Sequence, residues 1–187
     1  MKYTTEMITE RYNRGEEMEF IFFWGHTNTP GKIRKSCCSQ WYPCEFEVDG
    51  QKYYTTEQFM MAQKALLFKD HETYEKIMAA NDPRDFKALG RKVRNFDPET
   101  WNERKYQIVV KGNIAKFSQN EELREFLLGT ESRVLVEASP YDNIWGVKLA
   151  LGDPRIQNPN NWQGENLLGF ALMETRDYLK EVELYDK

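Results

Sequence analysis

The sequence predicts an α+β fold that is mostly α: a compact single domain of helices with a few short strands. Between Thr55 and Leu128 the apolar residues recur at the helical period of about 3.6, whereas the runs with strand character on either side are short. Asp82-Pro83 and Asp97-Pro98 each supply an N-cap followed by proline at the first helical position, where the missing N–H costs nothing. The 187 residues fit one domain, and no linker, internal repeat or low-complexity tract divides them.

In chain order, Glu19 to Trp24 is an aromatic, β-prone run ending at Gly25 and reads as a buried strand. Thr27 to Ser39 holds Pro30, Gly31 and several basic residues and reads as an exposed loop. Cys44 to Val48 alternates apolar and acidic residues before Asp49-Gly50. Both positions of that pair tolerate positive φ, so a tight hairpin returning through Lys52 to Tyr54 follows. Thr55 or Thr56 caps a helix from Glu57 to about Phe68, with Phe59, Ala62, Ala65 and Leu66 on or beside one face.

Further helices are expected over Glu72–Ala80, from Pro83 through Leu89, over Glu99–Phe117 and over Glu121–Leu128, the last ended by Gly129 as a left-handed cap. Arg133 to Ala138 has the β-branched content of a buried strand. Ser139 to Gly164 is a long loop rich in Pro, Asn and Gly, of the length usually reserved for function. A final helix from about Asn166 to Glu183 turns Leu167, Phe170, Ala171, Met173 and Tyr178 inward. These limits define an N-terminal extension over 1–18, a domain over 19–183 and a tail over 184–187.

Apolar residues make up 40% of the chain and aromatic residues 14%, enough for a packed interior that also holds a pocket. The net charge of −4, with a pI near 5.4, argues against strong sequence-independent binding of nucleic acid, which needs Lys and Arg to displace counterions. Met1 to Arg14 lacks the apolar centre of a signal peptide, and no stretch approaches the ~20 apolar residues of a membrane span. A cytoplasmic protein without a membrane partner is expected. Cys37, Cys38 and Cys44 are an odd count, two of them adjacent, and read as reduced thiols.

Glu57 and Lys64 stand seven residues apart and differ in azimuth by roughly 20° on an ideal helix, so they share a face. With Met60, Met61 and nearby rings desolvating that face, a carboxyl pKa rises, an amine pKa falls, and either group becomes useful in proton transfer. A solvated polar stripe is the alternative. Trp101, at the start of the longest helix, is either a core anchor or a stacking plate for a base. Asp142-Asn143-Ile144-Trp145-Gly146 follows a buried strand and reads equally as a binding loop or as a turn closed by Asp142. Gly164-Glu165-Asn166 opens the last helix, whose first N–H groups suit a phosphate but also ordinary capping. Cys37, Cys38, Cys44 and His26 do not form a paired metal motif, and no P-loop, dinucleotide fingerprint or serine-nucleophile elbow appears. No metal and no cofactor is expected.

Thr55-Thr56-Glu57-Gln58-Phe59-Met60-Met61-Ala62-Gln63-Lys64-Ala65, Asp142-Asn143-Ile144-Trp145-Gly146 and Gly164-Glu165-Asn166-Leu167-Leu168-Gly169-Phe170-Ala171-Leu172-Met173 together resemble the NADAR, or YbiA-like, family. Phe22-Phe23-Trp24-Gly25-His26 and Ser39-Gln40-Trp41-Tyr42-Pro43 resemble its opening segments, and Trp101 falls where the family has a tryptophan. Where the family carries Phe-Ser-Asn-Phe, this chain has Cys38-Ser39-Gln40-Trp41 behind a basic loop.

The resemblance, which spans about Phe20 to Leu179, implies a mostly helical YbiA-like fold and N-glycosidase activity. The bond cleaved would join ribose C1 of a phosphorylated ribose, or of ADP-ribose, to an amino nitrogen of a base. Substrates of that kind are ADP-ribosylated guanine and the phosphoribosylamino-pyrimidine intermediates of riboflavin synthesis. The family's important residues map onto Glu57, Lys64, Trp101 and Asp142, with substrate-binding positions at Trp24, Gly25, Trp41, Gln58, Trp145, Gly146, Gly164 and Asn166. A binding module for ADP-ribose or a nucleotide that does not turn it over, and an antitoxin-like interaction protein, are the competing readings.

Overall fold

Residues 1–27 and 31–185 of the chain are described by a computed structural model. Pro30 of the basic loop, and residues 186–187 of the tail, lie outside them. Among the described residues the order is α1 (Thr5–Asn13), β1 (Phe20–Phe23), β2 (Phe46–Val48), β3 (Gln51–Tyr53), α2 (Thr56–Leu67), α3 (His71–Ala79), α4 (Pro83–Gly90), α5 (Pro98–Ser118), α6 (Glu121–Leu128), β4 (Val134–Glu137) and α7 (Leu167–Tyr185). The mostly helical α+β architecture is thus the one expected.

Local chemistry sets the element boundaries. Asp49 and Gly50 both have positive φ, 53° and 79°, so the antiparallel β2–β3 hairpin turns where Asp-Gly predicts. Thr55 is the N-cap of α2, its side chain accepting from the Gln58 N–H. Asp82 and Asp97 cap α4 and α5 ahead of their prolines. Buried Asp70 caps α3 through Thr73 and also accepts from the Arg94 backbone N–H (2.9 Å) and guanidinium (2.6 Å). That bond ties the start of α3 to the chain leading into α5.

Some expectations need correction. Gly129 is right-handed, with φ −65°, and the left-handed residue after α6 is Glu131. Tyr178 is 45% exposed, so α7 buries Leu167, Phe170, Ala171 and Met173 without it. The basic loop is not exposed throughout. A 3-10 turn over Lys35–Cys38 buries both cysteines, because Nζ of fully buried Lys116 on α5 donates to the carbonyls of Cys37 (2.6 Å) and Ser39 (3.0 Å). Within residues 1–18, α1 escaped the sequence reading; its Ile8 is buried and Thr5 Oγ1 donates to the Glu165 carbonyl.

β1 and β4 are parallel, pairing Phe20 with Val134 through Phe23 with Glu137. β1 occupies one edge of β4, with the Val134 and Ala138 N–H groups donating to Glu19 and Phe23 carbonyls. Among the described residues no strand pairs with the other edge. There Asn166 substitutes: its Oδ1 accepts from Glu137 N–H (3.0 Å), its Nδ2 donates to the Leu135 carbonyl (2.9 Å), and the Val147 N–H completes the edge at the Glu137 carbonyl (3.0 Å). α7 lies so close to β4 that a Cβ on Gly169 would stand 2.1 Å from the Leu135 carbonyl oxygen. A backbone oxygen has little room to retreat, so Gly169→Ala is expected to lower stability by about 1–3 kcal/mol or more in urea unfolding.

Candidate functional site

The carboxyl ends of β1 and β4 open into one cavity of about 700 Å³, within the range of small-molecule sites. β1 delivers Phe23, then Trp24, Gly25 and His26; β4 delivers Glu137, then Ser139, Tyr141, Asp142, Ile144 and Trp145 from the following loop. α2 contributes Glu57, Met60, Met61 and Lys64, α4 contributes Lys87, Gly90 and its C-cap Arg91, and α5 contributes Trp101. Four of the five tryptophans of the chain, Trp24, Trp41, Trp101 and Trp145, line this one space. Trp24 is 52% exposed at its mouth, a costly position for an indole unless a flat partner covers it.

Glu57 and Lys64 both face the cavity, so the desolvated alternative describes their helix face better than the solvated one. Glu57 is 5% exposed, and burial pushes its carboxyl up to about 7. Lys87 and the indole N–H of Trp41 oppose that rise, Asp142 adds to it, and Arg91 opposes it again. Its backbone N–H donates to the Gln40 carbonyl (2.9 Å), which anchors the first turn of α2 to the segment carrying Trp41. Lys64 Nζ donates to the Gly90 carbonyl (2.8 Å) and lies 4.2 Å from the Phe96 ring centroid and 5.4 Å from that of Trp101. Burial lowers its pKa. Trp101 is only partly buried, and its indole faces the cavity and this ammonium.

Asp142 closes the expected turn and also lines the cavity. Its Oδ1 accepts from the N–H groups of Ile144 (2.9 Å) and Trp145 (2.8 Å).

Four of the predicted binding positions stand outside the cavity lining, each for a physical reason. Gln58 is fully buried; its Oε1 accepts from the Tyr54 N–H (2.9 Å) and its Nε2 donates to the Ile77 carbonyl, close to a capping box with Thr55. Gly146 and Gly164 are packing glycines. A Cβ on Gly146 would lie 2.8 Å from the Glu137 carbonyl oxygen, and one on Gly164 would lie 2.2 Å from the Gly146 carbonyl oxygen. Asn166 has both ends of its carboxamide committed to β4, and the N–H groups of Leu167 and Leu168 donate to the Ile144 and Trp145 carbonyls. The start of α7 therefore has those donors already in use and does not offer them to a phosphate.

The sequence reading missed Glu137, Lys87 and Arg91. The signal for Glu137 was an acid inside an otherwise apolar strand, since Val134, Leu135, Val136 and Ala138 are all buried. Burial pushes the Glu137 carboxyl up to about 8, with Asp142 and Glu57 adding to the rise and Lys87 opposing it. Lys87 and Arg91 lie one helical turn apart on α4, a surface-helix pattern that carries no such signal. Among the described residues no group of His, Cys, Asp and Glu is arranged to hold a metal ion, and no helix is long and apolar enough to cross a membrane.

A mostly helical domain whose only parallel strand pair among the described residues opens into a pocket of acids, cations and indoles belongs to the NADAR domain family, whose model matches residues 22–180. The chain is 41% identical over 167 residues to N-glycosidase R617 of Acanthamoeba polyphaga mimivirus, a match covering 87% of this chain and 97% of that protein. It is 33% identical over 133 residues to N-glycosidase YbiA of Escherichia coli strain K12, covering 71% and 74%. The NMR structure of the E. coli protein YbiA superposes with a TM-score of 0.72 at 29% identity, covering 89% of this chain and 88% of that one.

The two raised carboxyls fix the sign of a pH effect. Both values lie above the ordinary 4.5, so between about pH 4.5 and 8 the folded chain holds protons that the unfolded chain has released. The stability contributed by these groups is fully present below about pH 4.5 and is lost as the pH rises through 7 and 8. Urea midpoints measured at pH 5 and pH 8.5 should accordingly show Glu137→Gln gaining on the parent protein at the higher pH.

Proposed function

We propose that the cavity hydrolyses the bond between ribose C1 of a phosphorylated ribose, or of ADP-ribose, and an amino nitrogen of a base. The chain is a hydrolase of N-glycosyl bonds, in keeping with its N-glycosidase relatives. ADP-ribosylated guanine and a phosphoribosylamino-pyrimidine are the two substrates proposed, since both present this bond. The observation that carries the reading is the enclosure of Glu57 beside three further cavity-lining functions: carboxyls, cations and indoles.

In this reading the substrate base stacks among Trp24, Trp41, Trp101 and Trp145, with stacking worth about 1–3 kcal/mol per base. Glu57, with a pKa near 7, takes a proton from the attacking water or balances positive charge as it grows on the ribose ring. Asp142 adds a second negative charge that acts on Glu57. Lys87 and Arg91 receive the phosphate, because their charges already reach the Glu57 carboxyl and the donors at the start of α7 are in use. Lys64, steadied by the Gly90 carbonyl and two rings, holds a ribose hydroxyl or phosphate oxygen.

One observation favours a second role for Lys64: burial lowers its pKa, which increases the free amine available to attack C1 of a ring-opened ribose. Borohydride added during turnover separates the two roles. A ribosyl adduct on Lys64 in the mass spectrum is the outcome of covalent attack, and an unmodified Lys64 is the outcome of simple binding.

The reading is tested by offering the purified protein both substrates and following release of the base. Glu57→Gln is expected to reduce release by at least ~100-fold while leaving the affinity for ribose 5-phosphate within a few fold. Unchanged turnover would remove Glu57 from the reaction. Lys87→Ala combined with Arg91→Ala should raise KM for the phosphorylated substrate by about 10-fold or more and leave a dephosphorylated analogue unaffected.

A further inference from the structure

We propose that Glu137 is the proton donor to the base nitrogen that leaves ribose C1. The assignment rests on the N-glycosidase reading above and adds to it the general acid that cleavage of a C–N bond requires.

The geometry around Glu137 separates backbone from side chain. Its N–H is held by Asn166 Oδ1 and its carbonyl by the Val147 N–H, so the backbone at the end of β4 is fixed on its strandless edge. The side chain lines the cavity, and among the described residues its Oε2 is fully enclosed with no hydrogen-bond partner. An enclosed carboxylate oxygen without a donor is expensive, and a neutral carboxylic acid in the same place costs far less.

The charged neighbours favour the acid too. Glu57 from α2 and Asp142 from the loop after β4 add negative charge, and Lys87 from α4 is the cation that opposes them. Lys64, Arg91, His26 and Tyr141 also line the cavity. β1 and α7, the elements packed on β4, contribute only Phe23 and Leu168 to its wall, and neither titrates.

Burial raises Glu57 as well, but there the Trp41 indole N–H, Lys87 and Arg91 all favour the ionised form, where Glu137 has Lys87 alone. Of the two raised carboxyls in one cavity, Glu137 is thereby the one with fewer groups favouring ionisation, and neighbours of this kind assign acid and base in carboxylate enzymes. An amine anion is a poor leaving group, so the step needs its proton delivered as the bond breaks. The C1–N bond breaks with its electron pair remaining on nitrogen, which takes the Glu137 proton and departs as the free amine. The water oxygen bonds to C1, its proton passes to Glu57, and exchange with solvent returns a proton to Glu137 and removes one from Glu57.

The test compares two ribose 5-phosphate substrates, one with an aminopyrimidine at C1 and one with p-nitrophenolate, which leaves without a proton. Glu137→Gln is expected to lose at least ~100-fold in kcat on the aminopyrimidine and no more than a few fold on the nitrophenyl substrate. An equal loss on both, or no loss on either, would overturn the assignment. The unaltered protein supplies a check that does not depend on the variant folding. Its kcat/KM on the aminopyrimidine should fall on the alkaline side of the pH profile, with no such fall for nitrophenolate, and a profile flat to pH 10 would equally overturn it. Absence of turnover by the unaltered protein on both substrates and on ADP-ribosylated guanine would reject the N-glycosidase reading and this assignment with it.

Discussion

The carboxamide of Asn166 is the constraint on which the cavity depends. A two-stranded parallel sheet leaves β4 with one edge unpaired, and buried backbone groups along an edge must find partners. Asn166 supplies a donor and an acceptor at the spacing of a strand, in a left-handed conformation (φ 54°) that asparagine tolerates better than most residues. The substitution occupies far less space than a strand would. Gly169 can then bring α7 against Leu135, Gly146 can bring the long loop against Glu137, and Gly164 can close on Gly146 and Asn143. The result is a rigid floor from which Glu137, Asp142 and Trp145 project.

Charge in the cavity is arranged by helix origin. The acids come from the ends of β4 and the start of α2, while Lys87 and Arg91 come from the far end of α4. Burial raises both glutamates, but Glu57 retains an indole donor and two cations where Glu137 retains one cation. The unequal balance of neighbouring charges around two like groups is therefore produced by packing.

Elements governed by neighbouring residues were legible in the sequence. Thr55, Asp82-Pro83, Asp97-Pro98 and Asp49-Gly50 specify caps and a turn within a few positions, and the structure follows them. The shared face of Glu57 and Lys64 was legible for the same reason, because seven residues on a helix fix an azimuth. What stayed hidden depends on partners distant in the chain. Gln58, Gly146, Gly164 and Asn166 sit inside conspicuous motifs, yet their bonds and contacts serve packing rather than the cavity. Glu137, Lys87 and Arg91 lie outside those motifs and reach the cavity only because β4 and α4 converge on α2 and the long loop.

Lys116 shows how far such distant partnerships extend. A buried ammonium without a carboxylate is costly, and burial lowers its pKa. Two backbone carbonyls, those of Cys37 and Ser39, and the faces of Tyr42 and Phe117 surround the charge instead. Those contacts draw a short turn into the core, and just beyond its Ser39 cap lies Gln40, whose carbonyl accepts from both Glu57 N–H and Thr56 Oγ1. The next residue is Trp41, the indole partner of the Glu57 carboxyl. A lysine on α5 thus sets both the backbone anchor and the side-chain donor of the acid on α2. An apolar residue of the same volume would fill the space but would leave those two carbonyls without their donor and release the segment that positions Glu57.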